Sequence, residues 1–241
     1  MKPCVSVVIP VFNCARFVAE AIESVFAQSF ADFELIVIDD ASTDESARIC
    51  ARYGERIRLL KNETNGGIGY TRHRGAREAR GRHIAYLSAD DVWYPEYLET
   101  MIEEATKHPG KILFSRYYFV KEDGDPWLGF VVPPFRTHEE FKSKVWDYAE
   151  RFNCFVNFST TFFPIEVFGK VSFDPDQRIC EDLKFLLQSM EHFEYHLVEK
   201  PLLKYRLHET NQTKIHQNDI RETVRRIIRD VKARNRATER S

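Results

Sequence analysis

The chain reads as an α/β fold, with a mostly parallel central sheet flanked by helices. Three observations predict it. Strand-like runs alternate with helical segments of about 10–15 residues through the first half. The first run, Val5-Ser-Val-Val-Ile-Pro-Val11, is almost continuously apolar, as in a strand buried on both faces. Two of the strand patterns close on acidic pairs, Asp39–Asp40 and Asp90–Asp91. Open parallel sheets bind ligands beyond the carboxyl ends of their strands, so the two pairs form one candidate site.

After the first strand, Val18, Ala21, Ile22 and Val25 keep the i, i+3, i+4, i+7 spacing of an amphipathic helix. Phe33–Ile38 is the second strand. Ser42-Thr-Asp-Glu45 has the form of a capping box, which predicts a helix from there to about Tyr53. Ile57–Leu60 is a third strand. Asn65-Gly-Gly67 breaks the chain before a basic helix from about Tyr70 to Ala79. His83–Leu87 is the fourth strand. Pro95 suits the first turn of the next helix, whose Leu98, Met101, Ile102 and Ala105 keep helical spacing. Ile112–Val120 is a fifth strand.

The second half is less regular. Residues 121–155 mix proline, glycine and aromatics, as in Pro126-Trp-Leu-Gly-Phe130 and Pro133-Pro134-Phe135. They read as a surface excursion, a lid or an acceptor-binding insertion. Val156–Phe163 is expected as a strand, Asp182–Met190 as a helix, and Tyr195–Val198 and Leu202–Leu207 as two short strands. This organisation predicts one domain over 1–218, divided near residue 120, and a separate C-terminal helix over 219–241.

Composition narrows the function. A net charge of −2 gives no nucleic-acid signature, and 43% hydrophobic residues over 241 supply an ample core. No window reaches the roughly 18 apolar residues of a membrane span. The start leads straight into a strand, without the pattern of a signal peptide. Five scattered cysteines, an odd number with no CxxC pair, argue for a reducing, cytoplasmic setting and against a disulfide framework or zinc site.

Each candidate group has a plain alternative. Asp90–Asp91 is either a solvated turn or a hard-oxygen site for Mg²⁺ or Mn²⁺ on a substrate's phosphates. Asp39 and Asp40 either cap the next helix or accept from a nucleobase or ribose. Glu181–Asp182 either complements a helix dipole or supplies a general base. Arg72, Arg74, Arg77, Arg80 and Arg82 are either a solvated face or include a diphosphate contact, with Arg72 the first choice. His208 is either a surface histidine or closes over a metal-bound diphosphate. No GxGxxG, GxxxxGK[ST], GxSxG or HExxH occurs. A nucleotidyltransferase would want a glycine-rich phosphate loop after the first strand, and Phe12-Asn-Cys-Ala15 is none. A catalytically inactive nucleotide-sugar-binding or scaffold protein stands against the intact Asp90, Asp91 and Asp182.

Several ordered motifs are similar to one family. Val5-Ser-Val-Val-Ile-Pro-Val-Phe-Asn13, Ser24-Val-Phe-Ala-Gln-Ser-Phe30, Phe33-Glu-Leu-Ile-Val-Ile-Asp-Asp-Ala-Ser-Thr-Asp44, Asn65-Gly-Gly67, Ala79-Arg-Gly81 and Leu87-Ser-Ala-Asp-Asp91 follow in sequence. The match resumes at Cys180-Glu-Asp182 and Tyr205-Arg-Leu-His208. Together they resemble family 2 glycosyltransferases, inverting enzymes of the GT-A fold. The resemblance implies a Rossmann-like nucleotide-binding half over 1–120 and an acceptor half over 121–218. It implies a nucleotide-sugar donor, most simply a UDP-sugar, and a Mn²⁺ or Mg²⁺ cofactor. Asp40 would contact the base, with Pro10 and Val11 lining its pocket. Asp90 would lie near ribose and metal, and Asp91 would hold the metal. Asp182, with Glu181 as alternate, would be the catalytic base. Ser88 and His73 depart from the family's usual residues, an acidic one and an asparagine. Small single-domain members of that family often build surface polysaccharides or lipid-linked oligosaccharides, so the resemblance implies a glycan or lipid-linked acceptor.

The tail carries eight Arg/Lys against four Asp/Glu, a net +4. Ile220, Val224, Ile227, Ile228 and Val231 form one helical face. That face either lies on the inner face of a membrane, with basic groups drawn to anionic lipids, or packs on protein. Self-association of the chain stays open.

Overall fold

The computed structural model describes residues 2–131, 135, 137–152, 156–211 and 217–238. Pro133, Pro134 and Cys154 lie outside the described residues. The chain runs β1 (Val5–Val11), α1 (Val18–Phe26), β2 (Phe33–Asp39), α2 (Ser46–Ala51), β3 (Arg58–Lys61), α3 (Ile68–Glu78), β4 (His83–Tyr86), β5 (Val92–Trp93) and α4 (Tyr97–Lys107). It continues through β6 (Ile112–Val120), β7 (Pro126–Val131), α5 (His138–Phe152), β8 (Thr161–Pro164), α6 (Glu181–Ser189), β9 (Tyr195–Arg206) and α7 (Gln217–Thr238).

The strands form one sheet in the order β3-β2-β1-β4-β8-β6-β9-β5, with β7 paired to β6. The expected α/β fold is there. The sheet is parallel through β3-β2-β1-β4, the half where strands alternate with helices. Beyond that it is mixed: β8 runs antiparallel to β4 and β6, while β9 is parallel to β6. The β6–β7 pair is antiparallel because a tight turn joins it, with Gly124 at φ 91°. All seven residues of β1 are buried. Two apolar cores lie among the packed elements, one holding Val8, Ile36 and Ile84, the other Val7, Val37 and Ala85. The alternation of neighbours between cores is what a strand covered on both faces requires.

Register places the site. Val11 pairs with Asp39, and Val8 with Tyr86, so the carboxyl ends of β1, β2 and β4 lie side by side. Gly81 lets β4 approach β1: a Cβ there would sit 2.5 Å from the Ser6 nitrogen.

Several boundaries differ from the sequence expectation. Ser42 does not open a capping box. Its hydroxyl accepts from the Asn13 amide, and α2 starts at Ser46, whose N–H donates to Asp44 Oδ1. The 121–155 region holds a hairpin strand and the helix α5, whose Phe141, Val145 and Ala149 are buried at i, i+4, i+8. The strand expected over Val156–Phe163 is only Thr161–Pro164. A 3₁₀ turn, Phe158–Thr160, precedes it, capped by Asn157 Oδ1 accepting from Ser159 N. The two late strands are one strand, β9, with a register shift between Val198 and Pro201. Proline lacks the N–H a ladder needs, and such a shift is where a strand tolerates it.

The tail helix packs on protein. Val224, Ile227, Ile228 and Val231 are each no more than 4% exposed and share a core with Phe141, Val145 and Leu187. The stripe that would have faced lipid is therefore occupied by α5 and α6. Among the described residues no helix is long and apolar enough to cross a membrane. Ile228→Ala should lower stability by about 2–5 kcal/mol, the usual cost of an Ile-to-Ala cavity. Urea unfolding checks this, and an unchanged midpoint would mean that α7 is not docked.

Candidate active site

The loop after β4 carries Asp90 and Asp91, and the two side chains have different surroundings. Asp91 is 1% exposed. Its Oδ2 accepts from the Ser159 hydroxyl at 2.8 Å and its Oδ1 from the Arg206 backbone N–H at 3.1 Å. Burial, and then the charge of Asp90, push its carboxyl well above the usual range. Arg206 locks the loop from outside. Its Nε donates to the Asp90 carbonyl at 3.0 Å, and its other nitrogens reach the Glu122 carbonyl and Glu20. Asp91 is thus an anchor of the loop.

Asp90 is the open member of the pair. Its side chain is 22% exposed, and its Oδ2 lies 3.0 Å from His208 Nε2. His208 is buried against the Phe17 ring, and its Nδ1 lies 2.8 Å from the Thr210 hydroxyl. Asn211 holds both residues from the side. A carboxylate oxygen and an imidazole nitrogen pointing at each other suit Mn²⁺ or a similar ion, and Asp90 and His208 are the residues that fit it. Asp91, the first choice from the sequence, has both oxygens committed to protein donors.

A second group forms at the ends of β1 and β2. Pro10 and Val11 are buried in β1, and the Val11 carbonyl accepts from Asp40 N. The Asp40 carboxylate is already engaged. It accepts from Asn62 Nδ2 at 2.5 Å and from the amides of Gly66 and Gly67 at 2.9 and 2.8 Å. Gly67, at φ 86°, allows the turn that presents those amides. Asp39 is 3% exposed, and its Oδ1 has no hydrogen-bond partner. A buried carboxylate oxygen left unpaired is costly without a ligand to satisfy it. Asn13 fastens this corner by accepting from the amides of Thr43 and Asp44.

The third group opens α6. Glu181 turns inward, 7% exposed, and pairs with Arg72 NH1 at 2.6 Å. Burial, and then the neighbouring Asp182 charge, push Glu181 up to about 7 despite the arginine. Arg72 lies over the Phe158 ring at 4.3 Å, and Tyr86 donates to its carbonyl. It is therefore committed beneath the surface, where a diphosphate cannot reach its paired nitrogen. The other arginines of that run diverge: Arg74 donates to Asn62 and the Lys61 carbonyl, and Arg82 to Cys4. Asp182 is half-buried, and its Oδ1 accepts from the next amide, Leu183 N, at 2.7 Å. Between geometries, Asp182 is the accessible carboxylate and Glu181 the buried prop.

The structure thus assembles Pro10, Val11, Asp39, Asp40, Asp90, Asp91, His208 and Asp182 around one end of the sheet. Sequence reasoning passed over Ser159, Arg206, Asn62 and Asn211. Ser159 and Arg206 meet the loop from 68 and 115 residues away, which no local pattern reveals. Arg178, exposed over the Asn65 carbonyl, is a further basic group beside the glycine loop. The cysteines Cys4, Cys14, Cys50 and Cys180 are free thiols, and burial pushes Cys50 and Cys180 up to about 12.

Comparison with known proteins places the chain in a family. The chain matches the family model of glycosyl transferase family 2 over residues 6–168. It is 30% identical over 228 residues to an uncharacterized glycosyltransferase, RP339, of Rickettsia prowazekii, covering 92% of this chain and 69% of that one. It is 30% identical over 210 residues to TuaG of Bacillus subtilis, a putative teichuronic acid biosynthesis glycosyltransferase, covering 86% of this chain and 80% of that one. Among solved structures, S. aureus TarS 1–349 in complex with UDP-GlcNAc superposes with a TM-score of 0.76 at 20% identity, covering 96% of this chain and 66% of that chain. This chain spans 65% of the TarS chain solved with UDP. The mannosyltransferase PcManGT of Pyrobaculum calidifontis, in complex with GDP-Man and Mn²⁺, gives 0.64 at 16% identity, covering 88% and 59%. On the family match, the relatives and the shared architecture, this chain belongs to glycosyl transferase family 2 and is a glycosyltransferase with the GT-A fold.

Proposed function

We propose that this glycosyltransferase inverts the anomeric centre of a UDP-sugar as it transfers the sugar to a hydroxyl of a glycan or lipid-linked acceptor of surface polysaccharide. The observation that carries the reading is the pair of open acidic groups at one sheet end: Asp90 facing His208, and the accessible Asp182 at the start of α6. The relatives' names point the same way, since TuaG is described as a teichuronic acid enzyme and TarS is solved with UDP and UDP-GlcNAc.

In this reading the base of the nucleotide lies against Pro10 and Val11. The unpartnered Asp39 oxygen accepts its imide N–H, and Asp40 holds the glycine loop that frames it. Asp90 and His208 would hold a divalent ion, which would supply Lewis-acid stabilisation for a departing diphosphate. Arg206 and Ser159 keep Asp90 in place through the loop and through Asp91. Asp182 takes the proton of the acceptor hydroxyl as its oxygen bonds to the anomeric carbon and the carbon–diphosphate oxygen bond breaks. A single displacement from the opposite face inverts the centre. Glu181 and Arg72 fix the first turn of α6 and so aim Asp182. The acceptor enters over a cleft lined by Tyr94, Tyr118, Lys200 and Lys204. That cleft adjoins the metal loop because Val92 pairs with Lys204.

The test is a turnover screen of nucleotide sugars with Mn²⁺, followed by NMR of the product. Anomeric proton couplings should report the configuration opposite to the donor's. Retention would refute single displacement.

A further inference from the structure

The end of α4 and the start of β9 also build a second cluster of metal-ligating groups, away from the active site. Glu104 lies in the last turn of α4, His108 is the residue that caps its end, and His196 is the second residue of β9. One ligand atom from each lies within 4.8 Å of the others. His196 sits near the start of β9 and Arg206 ends it, so the active site is roughly 30 Å away at strand rise.

We propose that Glu104, His108 and His196 bind a zinc-class divalent ion, which staples the end of α4 to the start of β9. The donor set is two imidazoles and one carboxylate. That set favours Zn²⁺, Co²⁺ or Ni²⁺ over Mg²⁺ or Ca²⁺. The distances suit it. Two ligand atoms each about 2.1 Å from a tetrahedral ion stand about 3.4 Å apart. Glu104 Oε2 lies 3.7 Å from His108 Nε2 and 3.6 Å from His196 Nε2. The other oxygen, Oε1, accepts from Lys107 at 2.8 Å, which leaves Oε2 as the face turned to both rings. The rings stack at 3.7 Å between centroids, 28° from parallel, and both Nε2 atoms lie beside the same Glu104 oxygen.

Without an ion the arrangement is awkward. Two imidazoles share one carboxylate oxygen. The three side chains are 21–32% exposed, enough for an ion to enter and for water to complete its shell. The role is structural. The helix so fastened is the one that follows the Asp90–Asp91 loop and β5.

The active site also offers a histidine and a carboxylate, so the test uses full-length Asp90→Asn protein to set that site aside. Thermal unfolding with and without ZnCl₂ should show a rise of about 5 °C at roughly a hundredfold excess over Kd. The rise should vanish when His108→Ala or His196→Ala is added. Co²⁺ should give the intense visible bands of a tetrahedral site in Asp90→Asn protein and lose them in the same additions. In the otherwise native chain, His108→Ala should leave Mn²⁺-dependent nucleotide binding unchanged, which separates this site from the active-site reading. No zinc effect in Asp90→Asn protein, or an equal effect after His196→Ala, overturns the proposal.

Discussion

Asp182→Asn should leave donor binding intact and lower sugar transfer by at least about 10²-fold. Asparagine keeps the shape and the acceptor for Leu183 N, but takes no proton. Losing a positioned base typically costs about 10²–10⁴ in rate. The fall belongs in kcat, because the acceptor hydroxyl is deprotonated in the transition state and not on binding. Glu181→Gln behaves differently. It neutralises the partner of Arg72 in a buried pair, so its first effect is on stability and on the first turn of α6. Measured side by side, Asp182→Asn should fold normally with little turnover, and Glu181→Gln should unfold earlier with more turnover left. A stable, inactive Glu181→Gln beside an active Asp182→Asn would reverse the assignment.

The two aspartates of the loop after β4 should separate in the same manner. Asp90→Asn should remove metal-dependent nucleotide binding while unfolding stays near native, since its side chain is partly open and its contacts to His208 and Asn211 are polar. Asp91→Ala should destabilise by about 1–3 kcal/mol or more, because it leaves the Arg206 amide and the Ser159 hydroxyl without their buried acceptor. Its loss of nucleotide binding would then follow from a displaced loop. If Asp91→Ala folded as well as the native chain and still lost the metal, the roles of the pair would be the opposite of those drawn from the geometry.

The strand ends were the legible part of this chain. The apolar runs of β1 and β2, and the acidic pairs that close the acidic-ended strands, marked the sheet and the edge where the site lies. Residues within each pair were not legible. Neighbouring carboxylates look alike in sequence, and only contacts from Arg206, Ser159, Asn62 and Arg72 decide which is anchor and which is open. The helix α5 was masked by the prolines and glycines before it, although Phe141, Val145 and Ala149 keep helical spacing. The stripe of α7 was seen correctly, but a stripe does not say what covers it. Here the matching faces of α5 and α6 do. The Asp39 oxygen without a partner is visible only in three dimensions.

The most direct measurement is calorimetric titration of UDP and UDP-sugars into the full-length protein, once with Mn²⁺ and once with EDTA. Binding should appear with Mn²⁺, disappear with EDTA, and be lost in Asp90→Asn at either condition. Equal affinity with EDTA and Mn²⁺ would contradict the Asp90–His208 metal site and the mechanism that rests on it.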